Sequence, residues 1–266
     1  MLELSIRMMQ DWAKDRETAI RWIASIVPAG MGEFASEQAK LSGAGELLSA
    51  PFAACGLWLC PSMTPSLVKR VIEKYAAGEK RGLAAIVEGF YGKNGHENLR
   101  RAVDDWSSYE FFSRRMHIFR DALDAHISGK WTLTIPALLP HVEGIAWEIL
   151  VAEGLHLEKS TLVRHKGGNN YLSSLFGYLP ASEVNPTKDV IIDSLLDYLE
   201  GTLYSYHDFK HRPETPLQFQ LKRHAILHGH DTKYDTRINS LRCFLALDAL
   251  SMLKGNVPSL VYDRSS

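Results

Sequence analysis

Residues 221–236 constrain this chain more than any other stretch. An apolar helical segment carrying Arg223, His224 and His228 stops at Gly229, and a polar turn then leads into the most hydrophobic helix of the sequence, over 236–253. Charged and titratable groups are costly to desolvate, so in such a place they are either solvated or have a task. Apolar residues elsewhere recur at helical spacing, and no run alternates persuasively as a strand would. The sequence therefore predicts an all-α chain.

Taken in order, the pattern predicts an amphipathic helix over 2–27, ended by Pro28 to Gly32, and a flexible connection rich in Ala, Gly and Ser. Its Ser42-Gly43-Ala44-Gly45 run has no strand before it and no Gly-Lys-Ser/Thr after it, so it is not a phosphate loop. Thr64 caps a helix that starts at Pro65 and runs to Gly78. A helix over 80–90 ends near Gly92, and Lys93-Asn94-Gly95-His96 forms a turn. One long helix or two then occupy 97–127, closed by Gly129. Trp131 to Ile135 reads as a brief extended piece before a helix over 136–154. Further helices are expected at 171–179, 187–203, 215–228 and 236–253, the last capped by Asp235 or Thr236. A soft boundary near residue 97 separates a helical N-terminal region, 1–96, from a helical bundle over 97–266.

Composition limits the function classes. The chain has 266 residues, a 45% hydrophobic and 23% charged content, and a formal net charge of −1. Nothing global draws it to nucleic acid, so any such binding must come from local basic patches. Cys55, Cys60 and Cys243 lack metal-type spacing and are read as free thiols. No stretch approaches the roughly 18–20 apolar residues that span a bilayer. Glu3 and the lack of a basic region before an apolar run argue against a signal peptide. The expectation is a cytoplasmic protein with no membrane partner.

His224 and His228 are four residues apart and share a helix face. Arg223 and His228 are five apart, about 140° around the axis at about 100° per residue, so they converge less naturally within one helix than across two subunits. Gly229 sits where a left-handed residue would end the helix, and this places His228 in a last turn whose dipole favours an imidazolium. A histidine that moves a proton beside an arginine that neutralises phosphoryl oxygens suits phosphate chemistry. Lys222 and Lys233 supply local positive charge, and Glu143, acidic on an apolar helix, either pairs with an arginine of the motif helix or faces solvent.

Arg223-His224-Ala225-Ile226-Leu227-His228 resembles the R-x4–6-H motif of the HEPN superfamily, and the segments around Arg115–His126 and Ile135–Ile145 precede it in the order seen in bacterial members. The resemblance covers about residues 100–255. It implies an up-and-down helical bundle, a homodimer whose two motifs line one cleft, and metal-independent cleavage of RNA, without a cofactor, in toxins or antiviral effectors. Carried over, His228 is the catalytic acid/base, Arg223 the phosphate stabiliser, and His224, Lys222, Lys233 and Glu143 bind or orient substrate. The implied partners are RNA or a nucleotide, a second copy of the chain, and an antitoxin or defence-system protein. Some HEPN proteins bind nucleotides or partners without cleaving.

Plainer readings compete. Arg223 as a solvated helix residue paired with Glu214 or an aspartate, and His228 as a cap on free carbonyls, would leave the same sequence. The pairs His207/His211 and His224/His228, each at i,i+4, would suit zinc, though no glutamate accompanies them as in a zinc hydrolase. Asp248, if buried, needs a partner, and Arg223 or Arg115 would serve. Trp106, Trp131 and Trp147 read as core or interface.

Overall fold

The computed structural model describes residues 49–152 and 221–251. The helices expected at 2–27, 171–179 and 187–203, and the His207/His211 pair, lie outside these residues. Within them the protein is helical throughout, with no strand among the described residues. The helices are α1 (Pro65–Ala76), α2 (Leu83–Asp105), α3 (Glu110–Ser113), α4 (Met116–Ile127), α5 (Trp131–Ala152), α6 (Arg223–Leu227) and α7 (Arg237–Leu250), with a 3-10 turn at Trp106–Ser108 before α3.

The helix α7 is the axis of the core. Every residue from Asn239 to Leu250 is buried, because the helix packs on α5 and also against α2 and α4. A helix that is apolar all round is stable only when enclosed. Thr236 caps it, accepting a hydrogen bond from the Asn239 N–H at 3.2 Å. The few polar groups it carries inward are satisfied. The Arg242 guanidinium donates to the Gly56 carbonyl at 2.8 Å, the Cys55 carbonyl at 3.1 Å and Asn239 Oδ1 at 2.7 Å. That clasp explains Gly56, whose φ is +66°. A Cβ there would come within 2.7 Å of the guanidinium.

The apolar segment 50–60 is largely buried, with Ala53 and Ala54 exposed. Phe52, Leu57, Trp58, Leu59 and Cys60 are buried, and Trp58 Nε1 donates to the Leu245 carbonyl at 3.1 Å. The three cysteines are free thiols. Buried residues from both sides of residue 97 belong to one hydrophobic core. No helix among the described residues is long and apolar enough to cross a membrane.

Two expectations are corrected here. Trp131 to Ile135 is not extended. It forms the first turns of α5. Thr134 and Ile135 are fully buried against the core, and Thr134 Oγ1 donates to the Ala122 carbonyl at 3.2 Å and to Lys130 O at 3.4 Å. Tertiary burial outweighs the extended preference of this β-branched run. Pro136 and Pro140 then sit inside the helix rather than at its start. Pro136 has no N–H for the Thr132 carbonyl four residues back, and the Tyr234 hydroxyl donates to that carbonyl at 3.4 Å instead. Asp248, the second case, is paired with neither Arg223 nor Arg115. Its carboxylate accepts from the Ser62 N–H at 3.1 Å, the Ser62 hydroxyl at 2.6 Å and Trp106 Nε1 at 3.4 Å.

Between its halves α2 is broken at Lys93–His96, the turn read from the sequence, where Asn94, Gly95 and His96 take positive φ. The break sets the His96 ring edge-on to His126, with centroids 5.6 Å apart. His126 is buried, bonded through Nδ1 to Ser240 Oγ at 2.7 Å and packed against Phe244. Burial, with His96 and Arg237 adding positive charge, lowers its pKa to about 4. Such a histidine costs nothing above the unfolded value of about 6.5, where both states are neutral. Below it the unfolded chain takes up a proton that the folded one refuses. Stability should therefore fall as pH drops from about 6.5 to about 4, by about 3 kcal/mol for this group at about 1.4 kcal/mol per unit. Urea denaturation across that range should show the loss in the wild type and much less of it in His126→Gln.

Candidate functional site

The motif lies on α6, which is one turn of helix and not the 215–228 helix expected. Of that range, 215–220 is outside the described residues. Lys222 is extended, at φ −78° and ψ 98°, and the helix begins at Arg223. A five-residue helix aligns few peptide dipoles, so the field at its C-terminal end is weak. The end of the helix is as expected. Gly229 has φ +73°, its N–H bonds the Ile226 carbonyl at 3.0 Å, and the His230 N–H bonds the Ala225 carbonyl at 2.7 Å. This is the Schellman arrangement, and it puts His228 in the C-cap position.

Arg223, the first residue of α6, faces α5. Its guanidinium meets the Glu143 carboxylate at 2.5 Å, with both side chains about a quarter exposed (21% and 34%). Of the two roles open to Glu143, the ion pair is the one formed. The half-burial of the pair gives it more weight than a surface salt bridge, since less water screens it. His224 and His228 lie on the exposed side, their rings parallel within 4° and 5.9 Å apart. Partial burial, then the charges of Arg223 and His228, lower the pKa of His224, and Glu143 opposes them. His224 thus lies within electrostatic reach of Arg223, His228 and Glu143, and its surroundings favour the neutral ring.

The two lysines are placed differently. Lys222 is half-buried and directly precedes the arginine. Lys233 is exposed in the loop beyond Gly229, where its N–H donates to Asp231 Oδ1 at 2.9 Å, and Tyr234 anchors that loop to α5. No group of three or more metal-ligating side chains gathers among the described residues.

Sequence reasoning missed a second arginine–carboxylate cluster on the same helix. Glu148 accepts both forks of Arg115, at 2.9 and 2.6 Å, and also pairs with Arg114. Arg115 Nη1 donates in addition to the Phe111 carbonyl at 2.5 Å. His141 stands beside this cluster, its pKa lowered by burial first and by Arg115 next. The available signal was two glutamates, five apart on an apolar helix, and therefore on different faces. Each holds an arginine from a different element, Glu143 from α6 and Glu148 from the α3–α4 junction. No family model, no curated protein and no solved structure matches this chain.

Proposed function

We propose that the chain is a HEPN-type, metal-independent endoribonuclease, of the toxin or antiviral-defence kind, acting in the cytoplasm as a homodimer. The observation that carries the proposal is the division of the motif. Arg223 is oriented by Glu143 against α5, whereas His224 and His228 present imidazoles on the open side. Within one subunit the phosphate-neutralising group and the proton-moving group are thus set apart. A second copy that brings its own α6 against the first would place an arginine of one subunit near a histidine of the other. Leu227, next to His228 at the end of α6, is 39% exposed and would be covered by such a contact.

In that site His228 takes the proton from the RNA 2′-hydroxyl or gives one to the departing 5′-oxygen. Arg223 stabilises the charge that builds on the phosphoryl oxygens. His224 orients groups beside the arginine, Glu143 holds the guanidinium in place, and Lys222 and Lys233 contact the strand. Purified protein should cleave RNA in excess EDTA and leave 2′,3′-cyclic phosphate and 5′-hydroxyl ends. Cleavage that EDTA abolishes, or products with 5′-phosphates, would overturn this chemistry.

The ion pair also favours a second reading. Glu143 occupies the arginine that a phosphate would need. A non-catalytic HEPN-fold module, binding a nucleotide, RNA or a protein partner such as an antitoxin, would keep the pair closed. It would bind RNA without cutting it.

A further inference from the structure

A groove of about 540 Å³ runs between α1 and the first half of α2. Leu67, Ile86, Phe90 and Gly89 form its apolar floor, and Arg70 and Lys93 stand on its rim. Lys93 is where α2 breaks, and its ψ of 152° takes it out of the helical path at the end of the groove. Neither Arg70 nor Lys93 has a hydrogen-bond or ion-pair partner among the described residues, and no carboxylate lines the groove. The nearest acidic residue along α2, Glu88, does not line the groove; burial raises its pKa, and Arg237 and Arg242 oppose that shift. Two uncompensated cations therefore flank an apolar floor.

We propose that this groove binds a nucleotide unit of a single-stranded nucleic acid, independently of whether the Arg223 site cleaves. The cations take the phosphate, and the base lies on the half-buried Phe90 ring and the bare backbone at Gly89. A Cβ built on Gly89 meets nothing within 4 Å, so a flat ring can approach the helix there. A cationic groove beside an aromatic platform is the arrangement by which single strands are held without sequence preference. The volume falls within the roughly 300–1,000 Å³ of small-molecule clefts, although this groove is open along one side. A polyglutamate would satisfy the cations but has no ring to lay on Phe90.

The test uses the full chain carrying Arg223→Ala, Lys222→Ala and Lys233→Ala, which removes the cations of the motif site, and a fluorescent 2′-O-methyl oligoadenylate, which has no 2′-hydroxyl to react. Fluorescence anisotropy should show binding that weakens about tenfold in Gly89→Leu, as expected when one stacked base is lost. The melting temperature should hold or rise, because leucine favours the helix over glycine. Arg70→Gln with Lys93→Gln should weaken binding by a similar factor and flatten its salt dependence. No binding by the parent chain would overturn the proposal. So would unchanged affinity in Gly89→Leu or in the double variant, or equal competition by a polyglutamate peptide.

Discussion

Asp248→Ala should destabilise the protein by about 3–5 kcal/mol, as much as truncating a buried aromatic side chain of the core. The carboxylate sits inside the most apolar helix of the chain, and burial raises its pKa. It remains there because three donors converge on it: the Ser62 N–H, the Ser62 hydroxyl and Trp106 Nε1. Ser62 has one hydroxyl hydrogen and gives it to Asp248, so the Tyr91 hydroxyl, 2.6 Å away and buried, is the donor to Ser62. Alanine would take the acceptor from all three donors, Trp106 Nε1 in the buried core and the two of half-buried Ser62, at about 1–3 kcal/mol each before relaxation. It would also release the segment around Ser62 from α7. Asp248→Asn keeps one acceptor oxygen and removes the buried charge, so it should cost clearly less. Urea denaturation checks the pair, and the alanine variant should melt roughly 6–12 °C lower. Equal losses in the two variants would show that the hydrogen-bond network does not hold this corner of the core.

Much of the fold could be read from local chemistry. Thr64 before Pro65, Thr236 before α7, and Gly229 after α6 are short-range signals, and the structure uses each as the sequence suggests. The Lys93–His96 turn was visible for the same reason, since Asn and Gly tolerate positive φ, although His96 does so at a cost. What could not be read depends on residues far apart in the chain. Trp131 to Ile135 has the composition of a strand, but Thr134 and Ile135 are buried in the core as parts of α5. Asp248 gave no hint of its partners, because Ser62 and Trp106 lie 186 and 142 residues away. The same limit applied to the candidate site. The i,i+4 spacing placed His224 over His228, and their rings are indeed stacked. The spacing could not show that the motif helix starts only at Arg223. Nor could it choose between a paired and a solvated Glu143, a choice made by the packing of α6 on α5. Glu148 was missed because its partners, Arg114 and Arg115, lie 34 and 33 residues away in the chain.

The larger functional effect is expected at the motif itself. Arg223→Ala removes the only proposed group that neutralises charge on the reacting phosphate. His228→Ala removes the proton-transfer group, whose contribution in such reactions is about 100- to 10,000-fold. Neither change should unfold the protein. His228 is exposed, and the Schellman turn around it is made by backbone groups. Arg223→Ala opens the ion pair and leaves Glu143 one-third exposed, where water can solvate it. Because the site is proposed to draw its arginine and histidine from different subunits, an equimolar mixture of the two inactive variants should recover part of the activity through mixed dimers. That recovery would separate a shared site from two independent ones.

The most direct measurement is RNA cleavage in excess EDTA by the wild type, Arg223→Ala and His228→Ala, each purified and shown to melt normally. The account predicts cleavage by the wild type and a loss of about 100-fold or more in each variant. Undiminished cleavage in both variants would contradict it.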